Sequence, residues 1–286
     1  MIALLPLALV LLSICVYFYY LRWRDRWVRS QPFPAQWQGF LTTALPVYSS
    51  LSEQEQLRLR QLMLLFLAKK HFYGCAGIVV TDEMRVTIAA EACLLLLNKG
   101  WSVYPSLQSI LVYPSVFQVD RQVRREDGTV ASEGRHVLGE SWENGKVVLS
   151  WDDVEHGVAD FSDGHNVVLH EFAHQLDAAS GATNGAPPLR RNSYRSWARV
   201  FADNFENLRL RSRKRQKTVM DKYGGSSPAE FFAVATETFF EKPRQLHQKR
   251  PELYRELSRY YQLDPRLWQD QPGDEGNGSG SKVPPT

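Results

Sequence analysis

Cysteine is scarce in this chain. Cys15, Cys75 and Cys93 are the only three in 286 residues, and no two stand in CxxC spacing. That excludes both a disulfide framework and a thiolate metal site, and the three read as buried or membrane-embedded thiols of a reducing compartment. Net charge is small as well, +3, so the charge balance gives no argument for a nucleic-acid partner. There is no internal repeat, no P-loop and no dinucleotide fingerprint, which removes the phosphate-cradling folds from consideration. What remains is an ordinary globular composition, 44% hydrophobic and 23% charged, in a chain long enough for one substantial core or two small ones.

Histidine is also sparse, seven in all, yet two of them stand four apart in His170-Glu171-Phe172-Ala173-His174. On a helix the positions i and i+4 share a face, so both imidazoles can reach one metal ion, and Glu171 falls beside them where a general base is needed. The surroundings read as helix. Val168, Phe172 and Leu176 make a buried stripe, Asp163 or Ser162 offers an N-cap, and Gly181 suits the C-terminal end. Asp177 is either an orienting acceptor for His174 or a plain end-of-helix carboxylate. His71, His156, His165 and His247 have no partner at metal spacing.

Charge is missing altogether from residues 2–20, whose nineteen residues would span about 28 Å as a helix, close to the hydrocarbon thickness of a bilayer. Arg22, Arg24, Arg26 and Arg29 follow, and nothing basic precedes, so the positive-inside rule places the rest of the chain in the cytoplasm. A cleaved signal peptide would want a basic start, a shorter apolar core and small residues at the cleavage site. The expected organisation is a transmembrane anchor over residues 1–21, a basic juxtamembrane linker over 22–35 ending in Gln31-Pro32-Phe33-Pro34, a domain over 36–270 and a Gly/Ser/Pro-rich disordered tail over 271–286. The location that follows is the bacterial inner membrane, single-pass, with the domain in the cytoplasm.

Within the domain, Ser52 with Glu55 forms a capping-box signal for a helix, and residues 81–97 read as a central buried helix. Short strands are expected between residues 101 and 120, and residues 146–151 (KVVLSW) give the clearest strand. Whether that last strand has a free edge for pairing with substrate backbone is left open by the sequence. Residues 209–217 carry six basic side chains, which read as a solvated face or as a contact to anionic lipid.

Two histidines need a third ligand to make a catalytic site. Residues 227–240 (SPAEFFAVATETFF) read as an apolar helix with Ser227 as N-cap and Pro228 at its first position. Glu230 and Glu237 lie seven residues apart on one face, and spacing alone does not choose between them. Glu230 also completes a capping box with Ser227, and Glu237 would serve equally as a ligand or as an acceptor behind one.

The stretches at residues 139–142 (GESW), 166–177 (NVVLHEFAHQLD) and 227–240 together resemble the zinc-dependent peptidases of the Mlc titration factor A family, over roughly residues 30–268. The resemblance implies an α+β fold: a zincin-type, gluzincin-like metallopeptidase domain, mostly helical with a small sheet, distantly similar to the catalytic domain of anthrax lethal factor. It implies one Zn2+ per chain held by His170, His174 and Glu230, with His136, just before the GESW stretch, as a further metal-binding residue. Tyr223, seven residues before Glu230 and followed by Gly224-Gly225, is implied near the metal, where its hydroxyl could donate to an oxyanion. Glu171 would be the general base of a peptide hydrolysis by metal-activated water, and an aminopeptidase activity is expected.

Two functions of different class follow. One is a membrane-anchored zinc peptidase acting on a peptide or protein. The other is a binding protein that sequesters a transcriptional repressor of sugar uptake, as the family's name implies; neither involves direct contact with nucleic acid. The intact Glu171 favours the first, because a purely binding protein has no need of a general base.

Overall fold

Ser52 starts a helix as its position predicts. In the computed structural model its side chain accepts the Glu55 N–H and Glu55 accepts the Ser52 N–H (3.0 Å), the reciprocal pair that starts α3, Glu53–Lys69. The structure describes residues 4–115, 118–124, 130–136 and 145–269; for residues 4–8, 118–124 and 130–136 it describes the backbone alone. The tail expected from residue 271 and the GESW stretch at 139–142 lie outside the described residues.

Helix α4, Asp82–Leu94, starts on the Thr81 side chain and is buried on nearly every face from Val86 to Leu94. It is the central helix that its apolar run predicts, with one exception to the run: Glu91, which is fully buried. Around it pack α2 (Ala35–Ala44), α3 and α6 (Val167–Ala178).

Three short strands, β1 (His71–Gly74), β2 (Ser109–Tyr113) and β5 (Lys146–Ser150), form a parallel sheet in the order β1-β2-β5. Ser109 pairs with Lys146 and Tyr113 with Ser150, so β5 is an edge strand among the described residues. Its side chains from Val147 to Ser150 are nonetheless buried on both faces, as parallel strands require. Between β2 and β5, β3 (Gln118–Arg124) and β4 (Val130–His136) make a separate antiparallel ribbon. The Ser150 side chain then caps α5, Trp151–Ala159, without an intervening loop.

The second half is helical: α6, then α7 (Tyr194–Arg213), α8 (Pro228–Glu241), α9 (Pro243–Lys249) and α10 (Pro251–Tyr261). The basic run at residues 209–217 straddles the end of α7. Helix α8 is buried almost throughout, packed on α6 through one face and on aromatic side chains of α7 and α10 through another; Trp197 meets Phe232 at 5.8 Å and Phe239 stacks on Tyr261 at 5.5 Å.

The N-terminal segment differs from expectation. Helix α1 runs unbroken over Leu4–Arg29, and residues 22–29 are its docked end rather than a linker. Asp25 pairs with Lys69 at 2.5 Å, while the Arg29 and Arg58 guanidinium groups lie 4.0 and 4.4 Å from the Trp101 ring. Among the described residues no helix is long and apolar enough to cross a membrane. The span expected at residues 2–20 is therefore not supported: its first side chains fall outside those described, and Arg22, Arg24, Asp25 and Arg26 follow Tyr20 closely. The described side chains from Leu9 to Leu12 are consecutive and all exposed, which on a helix means exposed on every face.

Gly185 joins the two helices that matter most. Its φ of +79° suits glycine, its N–H donates to Asp177 Oδ2 (2.6 Å) near the end of α6, and its carbonyl accepts the Trp197 indole N–H (2.9 Å) from α7. A Cβ at this position would collide with the Pro228 carbonyl at the start of α8. Gly185→Ala is expected to destabilise the chain by about 1–3 kcal/mol from backbone strain and collision together, read as a lower urea midpoint at unchanged m-value.

Candidate metal centre

Helix α6 takes its N-cap from Asn166, whose Oδ1 accepts the Leu169 N–H at 2.9 Å. The expected caps do other work: Asp163 accepts the His165 N–H (2.8 Å), and Ser162 donates to Asp160. Capped there, α6 turns His170 and His174 toward α8. Glu230, in the first turn of α8, stands opposite them because Ser227 accepts its N–H (3.2 Å) and Pro228 presets the first helical φ.

Three donor atoms converge. Glu230 Oε2 lies 3.0 Å from His170 Nε2 and 3.5 Å from His174 Nε2, and the two Nε2 atoms are 3.2 Å apart. Donors held about 2.0–2.2 Å from a tetrahedral ion stand roughly 3.3–3.6 Å from one another, so the triangle has close to the size of a metal site. It is the one group among the described residues with such spacing. The donor set, two imidazoles and a carboxylate, suits a divalent ion of borderline softness.

Glu237 stands behind this triangle. Its Oε1 accepts from His170 Nδ1 at 2.7 Å, which fixes the tautomer and leaves Nε2 facing Glu230. Its other oxygen accepts the Asn166 N–H at 2.8 Å. Geometry thus separates the two candidate acids that spacing left equal: Glu230 on the metal-facing nitrogens, Glu237 on the far one. Two residues that the motifs do not mention complete the layer. Glu91 Oε1 accepts from Asn166 Nδ2 (2.8 Å), and Glu241 Oε2 accepts the Gly164 N–H (2.8 Å). A lone acid inside the apolar run of α4 was the available signal for Glu91; Glu241 stands four residues, one turn, beyond Glu237.

The other predicted residues are placed as follows. Glu171, 2% exposed, follows His170 on the same helix, close enough for its charge to act on that imidazole. Tyr223 lies on a 3-10 turn, Lys222–Gly225, with its ring centroid 6.1 Å from that of His170 and its side chain open to solvent. Asp177 hydrogen-bonds the Gly185 loop and not His174, because the chain doubles back past the end of α6 and brings that N–H to it. His136 ends β4, paired with Gln118, and its side chain lies outside the described residues. His165 approaches Asp221 at 3.9 Å, away from the triangle.

Charge follows burial and partners. Burial depresses His170, but Glu237, then Glu230, outweigh it and raise the imidazole well above its ordinary value. His174, buried with less compensation, is lowered. Burial opposes ionisation of Glu230, yet hydrogen bonds from both histidines bring it down to about 2. Glu91 and Glu241 move the other way: burial raises Glu91 to about 8, and burial with the neighbouring Glu237 and Glu91 raises Glu241 to about 9. Near neutral pH, Glu91 and Glu241 in the layer behind the histidines are therefore neutral acids.

Two imidazoles and a carboxylate closing on one point, with a further buried acid beside His170 on the same helix, place the chain among the metallopeptidases. Comparison with known families says which: the chain belongs to the glucose-regulated metallo-peptidase M90 family, whose sequence profile matches residues 20–262. It is 44% identical over 273 residues to the uncharacterized protein slr2042 of Synechocystis sp., covering 92% of this chain and 99% of that one. It is also 36% identical over 234 residues to the Mlc titration factor A of Serratia proteamaculans (81% and 88% covered) and 32% identical over 255 residues to that of Yersinia enterocolitica (86% and 94%).

The raised acids set a pH dependence. A carboxyl whose folded value lies above its ordinary 4.5 stabilises the fold fully below 4.5, and that stability is lost as pH rises toward the folded value, here about 8 for Glu91 and about 9 for Glu241. Between pH 5 and 8 each group contributes a loss of about 1.4 kcal/mol per pH unit. Glu241→Gln, an isostere of the neutral acid, is expected to flatten the fall of unfolding free energy with pH by about that slope, measured by urea titrations at pH 5, 6, 7 and 8 on both proteins.

Proposed function

We propose that this chain is a zinc peptidase in which His170, His174 and Glu230 hold the ion and Glu171 is the general base. The observation that carries this reading is the convergence of the three donor atoms to within 3.0–3.5 Å of one another, beside a buried Glu171. When bound, zinc supplies Lewis acidity toward a peptide carbonyl and lowers the pKa of a water toward neutrality.

The chain's own groups do the rest. The Glu171 carboxylate takes the proton of the attacking water and returns it to the leaving amine, a task suited to a carboxylate held out of solvent beside the reacting atoms. Glu237 keeps His170 in the tautomer that offers Nε2. Tyr223, whose ring lies beside that of His170, donates a hydrogen bond to the developing oxyanion. His136, at the end of β4, is proposed as a further metal-binding residue on the strength of its place before the GESW stretch.

Amino-terminal cleavage is the finer form of this proposal, and peptides with free and acetylated amino termini distinguish it from internal cleavage. A second reading is favoured by the relatives' name, Mlc titration factor A: the chain binds a transcriptional regulator, in keeping with a role in sugar uptake. The two are not exclusive, since a regulator could also be a substrate. They separate in one variant, because binding without catalysis survives the loss of Glu171.

On location, we propose that the exposed apolar end of α1 lies in a bilayer, with the domain on the cytoplasmic side. Leu9, Val10, Leu11 and Leu12 exposed together, then Tyr19, Tyr20, Trp23 and Trp27 also exposed, give an apolar cylinder followed by an aromatic collar and arginines, the order met at a membrane surface. In cells, the full chain is expected in the membrane fraction and released by detergent but not by salt; recovery in the salt-soluble fraction would overturn the proposal.

Glu171→Gln is expected to keep metal at one ion per chain and to lower peptide hydrolysis by a factor of about 10²–10⁴. Metal analysis of the purified full chain, with the two rates side by side, checks it. Stoichiometric metal with unchanged hydrolysis would sink the mechanism.

A further inference from the structure

The loop that starts the metal helix donates three hydrogen bonds, and each goes to a different buried glutamate. Gly164 N–H reaches Glu241 Oε2, Asn166 N–H reaches Glu237 Oε2, and Asn166 Nδ2 reaches Glu91 Oε1, each at 2.8 Å. Glu241 and Glu237 come from α8, and Glu91 comes from α4, 75 residues before Asn166. Glu91 is fully buried, and Glu237 and Glu241 are 5% and 1% exposed. Three buried acids around one tripeptide are more than a helix cap needs, because the Asn166 side chain already caps α6 through Leu169.

Only one of the three touches a metal-facing residue. Glu237 orients His170, and it does so from a fixed place because its second oxygen is held by the Asn166 backbone. That backbone is in turn held by Glu91 through the Asn166 amide and by Glu241 through Gly164. We propose that Glu91 and Glu241 are positioning residues of the metal site, clamping residues 164–166 so that Glu237 meets His170 Nδ1 and His170 Nε2 meets the ion. The proposal rests on the reading of His170, His174 and Glu230 as the metal triangle.

The geometry has a specific form that a general packing role lacks. Glu91 Oε2 and Glu241 Oε1 are both buried without a hydrogen-bond partner, so each acid engages the loop through one oxygen. A carbonyl-type acceptor is all the loop uses. An amide in place of either acid supplies that acceptor, whereas an alkyl side chain does not.

Zinc affinity of the purified full chain tests this, measured by competition with a chelator of known strength at pH 7, alongside urea melting of the zinc-free protein. Glu91→Ala is expected to weaken zinc binding roughly tenfold, the lower range for loss of an orienting contact around a metal ligand, while Glu91→Gln restores binding to within about threefold of wild type. Cobalt-loaded Glu91→Ala should also show an altered visible absorption band, because the ligand field reports the orientation of His170. If Glu91→Ala melts cooperatively and binds zinc like wild type, the clamp is overturned. Should it fail to melt cooperatively, Glu91→Asp, which keeps the carboxyl but withdraws it by one methylene, is read by the same criteria. Glu237→Ala is the reference: wild-type affinity in that variant, or no zinc binding by the wild-type chain, would overturn the reading of the metal site and the clamp with it, whereas weakened binding in Glu237→Ala with unchanged binding in Glu91→Ala rejects the clamp alone.

Discussion

The contact between α6 and α8 is the constraint on which the site depends, and the hydrogen bond from His170 to Glu237 is its centre. One helix brings two imidazoles and an acid on its own periodicity, but an ion needs a third donor at a defined distance. Only the second helix supplies it. Glu230 and Glu237 lie two turns apart on α8, so one helix face serves His170 from both sides: Glu230 at the nitrogen that faces an ion, Glu237 at the nitrogen that faces the core. A sliding of α8 by one residue would remove both contacts at once.

Several independent devices oppose such sliding. Ser227 and Pro228 fix where α8 begins, Asn166 fixes where α6 begins, and Gly185 locks the end of one against the start of the other. The aromatic layer of Trp197, Phe201, Phe231 and Phe232 fills the far side of α8, so the helix cannot relax outward without opening a void. Burial also decides charge. Glu91 and Glu241, raised by burial, hold Asn166 and Gly164 as neutral acids.

Much of this was legible in the sequence because it is local. The capping box at Ser52, the N-cap at Ser227, the buried run of α4 and the histidine pair all follow from spacing, and spacing is preserved by a helix whatever it packs against. The illegible parts are those decided by distant residues. Asp163, Ser162 and Asn166 are equally good caps by chemistry, and Asn166 prevails because Glu91 and Glu237 hold it from other helices. Asp177 was a plausible partner for His174 until the following loop brought the Gly185 N–H to it. Residues 22–29 read as a basic linker because their ring partner, Trp101, is seventy residues and more away in the chain.

That last contact has a mechanical consequence. A domain hung on a flexible linker samples a hemisphere around its attachment point, and its reach is set by linker length. Here α1 continues as one helix from the apolar stretch into a docked end held by Lys69 and Trp101. Whatever surrounds Leu9 to Tyr20 therefore imposes its own orientation on the domain. His170 and Tyr223 keep one direction relative to the axis of α1, so approach to them is a question of angle and height before it is one of sequence.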